Sequence, residues 1–322
     1  NSPKIEIRKI IWFFTFGVLT ISLICLIASF IKIFLHYHAT REISASLLFH
    51  TELSSPFGLH HIYFSLYVTF CFFFILNEFI QRDIFKNRKW QLGLLLFYFL
   101  IFNFLLSSRA GIISFFLIMV LLLLIFLFQT KKFIKGAFIF IALLGGLLIF
   151  YFNFPYAKNR ITENLSLEMP PTLDSPHEEF NETTGRIGIW ICALEVIASN
   201  PWFGVGTGDS SDELQKVYLE KGFSIGYVWR FNAHNEFLQT TIRNGILGFI
   251  VLFLIFLGYL ISFVKFKSYH GLIFLILIFN FAMIESILGT HKGVIFLIFI
   301  GLIIYLGHKE FKEPSLVKTR ED

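Results

Sequence analysis

An all-α, polytopic membrane protein is the fold class this sequence predicts, on three observations. Apolar residues fill 56% of 322 positions and charged residues only 15%, where a soluble domain carries about 25% charge. Mean hydropathy is +0.71. Apolar runs recur near the ~20-residue length that crosses a bilayer, and Lys and Arg collect in the short segments between them.

About eight spans are expected, at 10–35, 62–80, 91–106, 111–128, 134–152, 243–263, 270–287 and 293–307. The first is too long for the h-region of a signal peptide. The chain opens with Asn1 rather than Met, so further sequence is expected upstream. Cys25 and Cys71 fall in apolar spans and Cys192 in an apolar helix, which makes them packing residues rather than a disulfide framework.

Basic residues set the orientation. Lys4, Arg8, Lys9, Arg82, Lys86, Arg88, Lys89, Lys131, Lys132, Lys135, Lys265, Lys267, Lys309, Lys312, Lys318 and Arg320 share one side, while the opposite short connections hold Arg41, Arg109 and Lys292. The positive-inside rule then puts both termini in the cytoplasm and the 153–242 segment outside, which in a bacterium is the periplasm. The same bias accounts for the net charge of +5 without nucleic acid. Four regions follow: a five-span region 1–152, a large loop 153–242, a three-span region 243–307 and a cytoplasmic tail 308–322.

The loop has its own elements. Its first part, to Asn181, is rich in Pro (Pro155, Pro170, Pro171, Pro176) with Asp174, Glu178 and Glu179, and reads as irregular. Thr183 or Thr184 then caps a helix from about Arg186 to Ser199 that is apolar nearly all round. Gly204, Gly206 and Gly208 read as a tight turn; no strand precedes them, so they are no phosphate loop. Ser211 or Asp212 caps an amphipathic helix ending at Gly222. A third helix starts near His234 and runs through Gly245 and Gly248 into the sixth span.

Four positions carry chemistry. Arg186, in the expected first turn of its helix with Trp190 one turn on, combines free backbone N–H groups with a bidentate donor fork; the plainer reading is contact with lipid headgroups. His234, followed by Asn235, supplies an imidazole, a group suited to general base work. It precedes Gly245 by eleven positions, close to three helical turns, so the two are expected on one face, where a Gly admits a neighbouring helix or a lipid-linked substrate. Arg109 heads the fourth span in LLSSRAGIISFF, at the outer side, where a retained charge suggests an anionic partner or a span-end anchor. Glu285 is an acid at the outer end of the seventh span, read as functional or as a partner of His291 or Lys292. His36, His38, His60 and His61 lack zinc-site spacing, and no metal is expected.

Taken together, Arg186-x-x-x-Trp190, SNPWFGVGTG, the Tyr-bearing helix and AHNEFLQTTIRNGILG are similar to the core of the O-antigen ligase and polymerase superfamily, and SSRAG at Ser107–Gly111 resembles its Ser-Arg at the head of a mid-chain span. The resemblance covers roughly residues 100–290. It implies a bacterial inner-membrane glycosyltransferase, usually of about twelve spans, so this chain is expected to be an N-terminally truncated version of that fold. The implied reaction is metal-independent and inverting. It moves a glycan from undecaprenyl pyrophosphate to a sugar hydroxyl of lipid A–core, with no cofactor. Carried over by position, Arg109 and Arg186 hold the pyrophosphate, His234 activates the acceptor, and Asn235, Gly245 and Glu285 support the site. Trp190 stands where the ligase pattern often has Leu, which leaves ligase open against polymerase. An O-antigen polymerase or a protein O-oligosaccharyltransferase would use the same chemistry on another acceptor. A transporter or flippase would need ionisable residues at mid-membrane, which these spans nearly lack.

Overall fold

The computed structural model describes residues 7–81, 89–132, 134, 141, 145–146, 172–175 and 180–307. Most of the expected fifth span (134–152), most of the Pro-rich first part of the loop and the tail from 308 lie outside the described residues. Within the described residues the structure is helical, with no strand.

In chain order the helices are α1 (Ile7–Thr40), a short α2 (His50–Ser54), α3 (His61–Gln81), α4 (Lys89–Leu105), α5 (Arg109–Thr130), α6 (Glu182–Ser199), α7 (Ser210–Glu220), α8 (Ser224–Trp229), α9 (Glu236–Lys265), α10 (Tyr269–Ala282) and α11 (His291–Leu306). Among the described residues, α1, α3, α5 and α9 are long and apolar enough to cross a membrane, while α4, α10 and α11 are shorter apolar helices. The seventh expected span therefore ends at Ala282, before Glu285.

Two compact units divide the described residues: the first lies within Asn1–Leu147, Ile261–Ile278 and Ile295–Asp322, the second within Leu148–Leu260 and Phe279–Val294. In the first unit α3 is the central helix. Its apolar stretch is 78% buried, against 22% for α1 and 28% for α5, whose remaining surfaces are suited to lipid. It packs on α1, α4 and α5. Phe14, Tyr67, Phe70, Phe274 and Phe296 form one aromatic cluster with ring centroids 5.1 to 6.3 Å apart. Polar groups inside this unit pair between helices: Ser65 Oγ donates to Asn103 Oδ1 (2.7 Å), Tyr98 Oη donates to Ser22 Oγ (2.8 Å), and Arg8 forms an ion pair with buried Glu78.

The second unit has a core of Ile189, Cys192, Ala193, Val196, Leu214, Tyr218, Phe223, Ala233 and Ile242. These come from α6, α7, the segments flanking α8 and the start of α9, and each large apolar side chain buried there contributes roughly 1.5–3 kcal/mol. Helix α6 starts earlier than the sequence predicts. Its N-cap is Asn181, whose Oδ1 accepts from Thr183 N (2.8 Å) and Thr184 N (2.9 Å), while Thr184 Oγ1 accepts from Asn181 N (2.9 Å). This reciprocal pair outcompetes Thr183 or Thr184 as the cap because it satisfies backbone donors on both sides of the junction. Helix α7 likewise starts at Ser210, one residue before the expected caps, after Asp209. It is closed as expected by Gly222 in a left-handed conformation, with Phe223 N donating to Tyr218 O (2.8 Å).

Candidate functional site

The chain approaches α9 through Phe231–Asn235, and four side chains fix that path. Trp190 of α6 donates its indole N–H to Ala233 O (3.0 Å), and Ala233 N donates to Gln239 Oε1 (2.9 Å). Asn232 Oδ1 accepts from His234 N (2.9 Å), an Asx turn that suits the left-handed φ of +43° at His234. Asn235 Oδ1 then caps α9, accepting from Phe237 N (2.9 Å) and Leu238 N (3.1 Å). His234 thus precedes the helix instead of opening it. The expectation that His234 and Gly245 share one continuous helical face is overturned, because the cap turns the chain between His234 and Glu236.

Glu285 lies in the irregular turn after α10, and that turn brings it to His234, 51 residues away in sequence. His234 Nδ1 is 3.3 Å from both Glu285 carboxylate oxygens. The His234 side chain keeps 25% exposure while that of Glu285 keeps 8%, so the imidazole presents an open side and the carboxylate is screened behind it. The turn is pinned to the start of α9 by three further bonds. Asn235 Nδ2 donates to Met283 O (3.2 Å), Ser286 Oγ to Asn232 Oδ1 (3.2 Å) and Leu288 N to Glu236 Oε2 (2.6 Å). Glu236 Oε1 also accepts from Thr240 Oγ1 (2.8 Å), and the Phe231 ring meets the imidazole edge-on, 5.4 Å between centroids. A buried carboxylate against one ring nitrogen fixes the tautomer and orientation of an imidazole, which is what a general base requires.

Helix α9 is interrupted at Gly245 (φ +63°, ψ −165°), contrary to the continuous helix read from the sequence. The break is filled by the SNPWFGVG turn. Val205 N donates to Ile242 O (2.9 Å), Gly206 N to Arg243 O (2.9 Å), and Ile246 N to Pro201 O (2.8 Å). A Cβ on Gly245 would sit 2.2 Å from the Trp202 carbonyl carbon, and one on Gly204 2.5 Å from Ile242 O. Close approach at Gly245 is therefore real, and the partner is this chain's own backbone. Both glycines also have positive φ, so no L side chain fits without strain.

Arg186 is the fifth residue of α6, in its second turn rather than its first, because Asn181 moves the helix start upstream. It is half-buried and shares a helix face with Trp190, four residues on, whose indole holds Ala233 next to His234. Arg109 belongs to the first unit as the first residue of α5, behind the N-cap Ser108, whose side chain accepts from Gly111 N (3.3 Å). Arg186, His234, Asn235, Gly245 and Glu285 all fall in the second unit. Sequence reasoning missed Asn232, whose Asx-turn spacing two residues before His234 was the available signal. Glu236 was missed as well, being hidden behind the more conspicuous His-Asn pair.

Fold and site define a multi-pass helical membrane protein with a carboxylate–imidazole pair held by unwound backbone. Residues 94–253, about half of the chain, match the family model of the O-antigen ligases. The chain belongs to the O-antigen ligase and polymerase superfamily, membrane glycosyltransferases that act on lipid-linked glycans and glycan acceptors. The matched stretch contains Arg109, Arg186, His234, Asn235 and Gly245 and ends before Glu285. No curated protein matches the chain in a sequence comparison.

Proposed function

We propose that this protein is an O-antigen ligase of the bacterial inner membrane, working at the periplasmic surface. The glycan donor is carried on undecaprenyl pyrophosphate and the acceptor is a sugar hydroxyl of lipid A–core. The observation that carries this reading is the His234–Glu285 pair, 3.3 Å apart with only the imidazole reachable.

Glu285 holds the Nδ1–H tautomer, which leaves Nε2 with the lone pair. Nε2 takes the proton of the acceptor hydroxyl while its oxygen attacks the anomeric carbon. The bond from that carbon to the phosphate oxygen breaks, and its electron pair leaves with the undecaprenyl pyrophosphate. Attack opposite the leaving group inverts the anomeric centre. A positioned base contributes about 10²–10⁴-fold to such a step. Arg186 meets the charge growing on the diphosphate, as fixed cations do for leaving groups. Arg109 enters this role through the resemblance alone. A fixed guanidinium can meet that charge without a metal. Donor and acceptor are both anchored in one leaflet, so the protein mainly orients groups already concentrated there.

The test is transfer by the purified protein in liposomes containing a synthetic undecaprenyl-diphosphate glycan and lipid A–core. The expected result is a new glycosidic bond of inverted configuration by NMR, formed equally well in excess EDTA. Retention of configuration, loss of activity in EDTA, or movement of the donor across the bilayer without product would overturn the reading. A deletion strain separates the acceptors: loss of all capped lipopolysaccharide supports a ligase, while capping with a single repeat would point to a polymerase.

A further inference from the structure

Arg243 lies outside the roles assigned above, yet it stands on the same strip of structure as His234 and Glu285. The first segment of α9 runs from Glu236 to the break at Gly245, and Glu236, Thr240 and Arg243 fall on one side of it at the spacing i, i+4, i+7. The turn after α10 follows that side. Glu285 meets His234, Leu288 N bonds Glu236, and Gly289, the next residue, sits against the guanidinium: a Cβ there would be 3.6 Å from Arg243 Nη2.

Arg243 is half-buried, and its Nε is shielded from solvent with no hydrogen-bond partner among the described residues. Its charge reaches the Glu236 carboxylate, but the hydrogen bonds of that carboxylate go to Leu288 N and Thr240 Oγ1. A guanidinium has five N–H donors in a planar fork suited to phosphate. The backbone of Arg243 is also fixed, since its carbonyl accepts from Gly206 N (2.9 Å) in the turn that fills the Gly245 break. The cation is thus carried on a fixed backbone, and its guanidinium makes no hydrogen bond among the described residues.

Direction along α9 tells which part of a donor lies there. From Glu236 to Arg243 is seven residues, about 10 Å of helix rise, and beyond the break the helix continues as an apolar, membrane-spanning segment. Moving from His234 towards the bilayer, a lipid-linked glycan would present the reacting sugar, then the sugar-linked phosphate, then the lipid-linked phosphate. We propose that Arg243 binds the lipid-proximal phosphate of the donor, as a further cation of the site. This rests on the glycosyltransferase reading given above.

The experiment compares Arg243→Gln, Arg243→Lys and His234→Ala in the liposome assay, with undecaprenyl monophosphate and undecaprenyl diphosphate as inhibitors. Arg243→Gln is expected to raise the KM for the donor roughly ten- to a hundredfold, the range of a lost charge-assisted bond. Its KM for acceptor should be unchanged, and inhibition by both lipid phosphates should weaken by a similar factor. Arg243→Lys keeps the charge without the fork and is expected to fall between Arg243→Gln and the parent. An unchanged donor KM and unchanged inhibition in Arg243→Gln, with His234→Ala inactive, would overturn the Arg243 assignment alone. A fall in kcat with donor KM and inhibition untouched would also overturn it, since that is what loosening the 285–290 turn would do. Parental transfer by His234→Ala would instead remove the reading on which the assignment rests.

Discussion

The two units bury polar side chains for different ends. In the first, Ser65 with Asn103, Ser22 with Tyr98 and Arg8 with Glu78 each join one helix to another, side chain to side chain. In the second, Trp190, Gln239, Asn235 and Glu236 each place a hydrogen bond on a backbone group of Ala233, Met283 or Leu288, which lie in no long helix. Unwound backbone carries unsatisfied N–H and C=O groups that would be costly if buried alone. Side chains that adopt those groups let the second unit hold two irregular strands of chain, at 231–235 and 283–290, against each other. His234 and Glu285 sit on those strands. The contrast is between polar groups that fasten helices and polar groups that support a site.

Substitutions on either side should separate these two uses. The largest effect is expected for His234→Ala, which should lower transfer about 10²–10⁴-fold in single-turnover assays while leaving membrane insertion and donor binding intact. Normal transfer would place the chemistry elsewhere. Next comes Gly245→Ala. The new Cβ collides with the Trp202 backbone at a residue with φ of +63°, so a cost of about 1–3 kcal/mol is expected. A lower unfolding temperature in detergent, with transfer reduced in step, would show it; an unaltered melting curve would mean that the SNPWFGVG turn is not seated on α9 as described. The smallest effect belongs to the first unit. Tyr98→Phe removes one hydrogen bond to Ser22 and should cost at most about 1 kcal/mol, with kcat and both KM values unchanged. A fall in kcat there would erase the distinction drawn between the units.

What could be read from the sequence follows the same division. Apolar length announces a spanning helix almost by itself, and α1, α3, α4, α5 and α11 lie close to the windows expected from hydropathy. The second unit was harder because its elements end on side-chain hydrogen bonds rather than on composition. Asn181, Thr183 and Thr184 are all competent caps, and only the capping box formed with Thr184 decides for Asn181. The break at Gly245 was concealed by an apolar pattern that continues on both sides of it, and a helix tolerates a lone Gly at a cost of about 1 kcal/mol. The signal was present in two pieces: glycines in SNPWFGVG, and a glycine in the helix that receives it. Glu285 was visible as an acid at a span end. Its partner was not, since the pairing depends on the chain leaving α10 at Ala282 and on Asn232 and Asn235 receiving the turn. Arg243 escaped notice because a basic residue near the head of a span reads as an ordinary anchor.

The most direct measurement is a double-mutant cycle between positions 234 and 285, read as single-turnover transfer with donor and acceptor saturating. Groups that act as one unit give strongly non-additive losses, and residual catalysis from binding and fixed cations keeps the double variant measurable. If Glu285 works by holding His234, then Glu285→Gln slows the parent about tenfold to a hundredfold yet changes His234→Ala by less than about twofold, and the cycle shows full coupling. Losses that multiply, with Glu285→Gln slowing His234→Ala as much as it slows the parent, would contradict the pairing on which the catalytic reading stands.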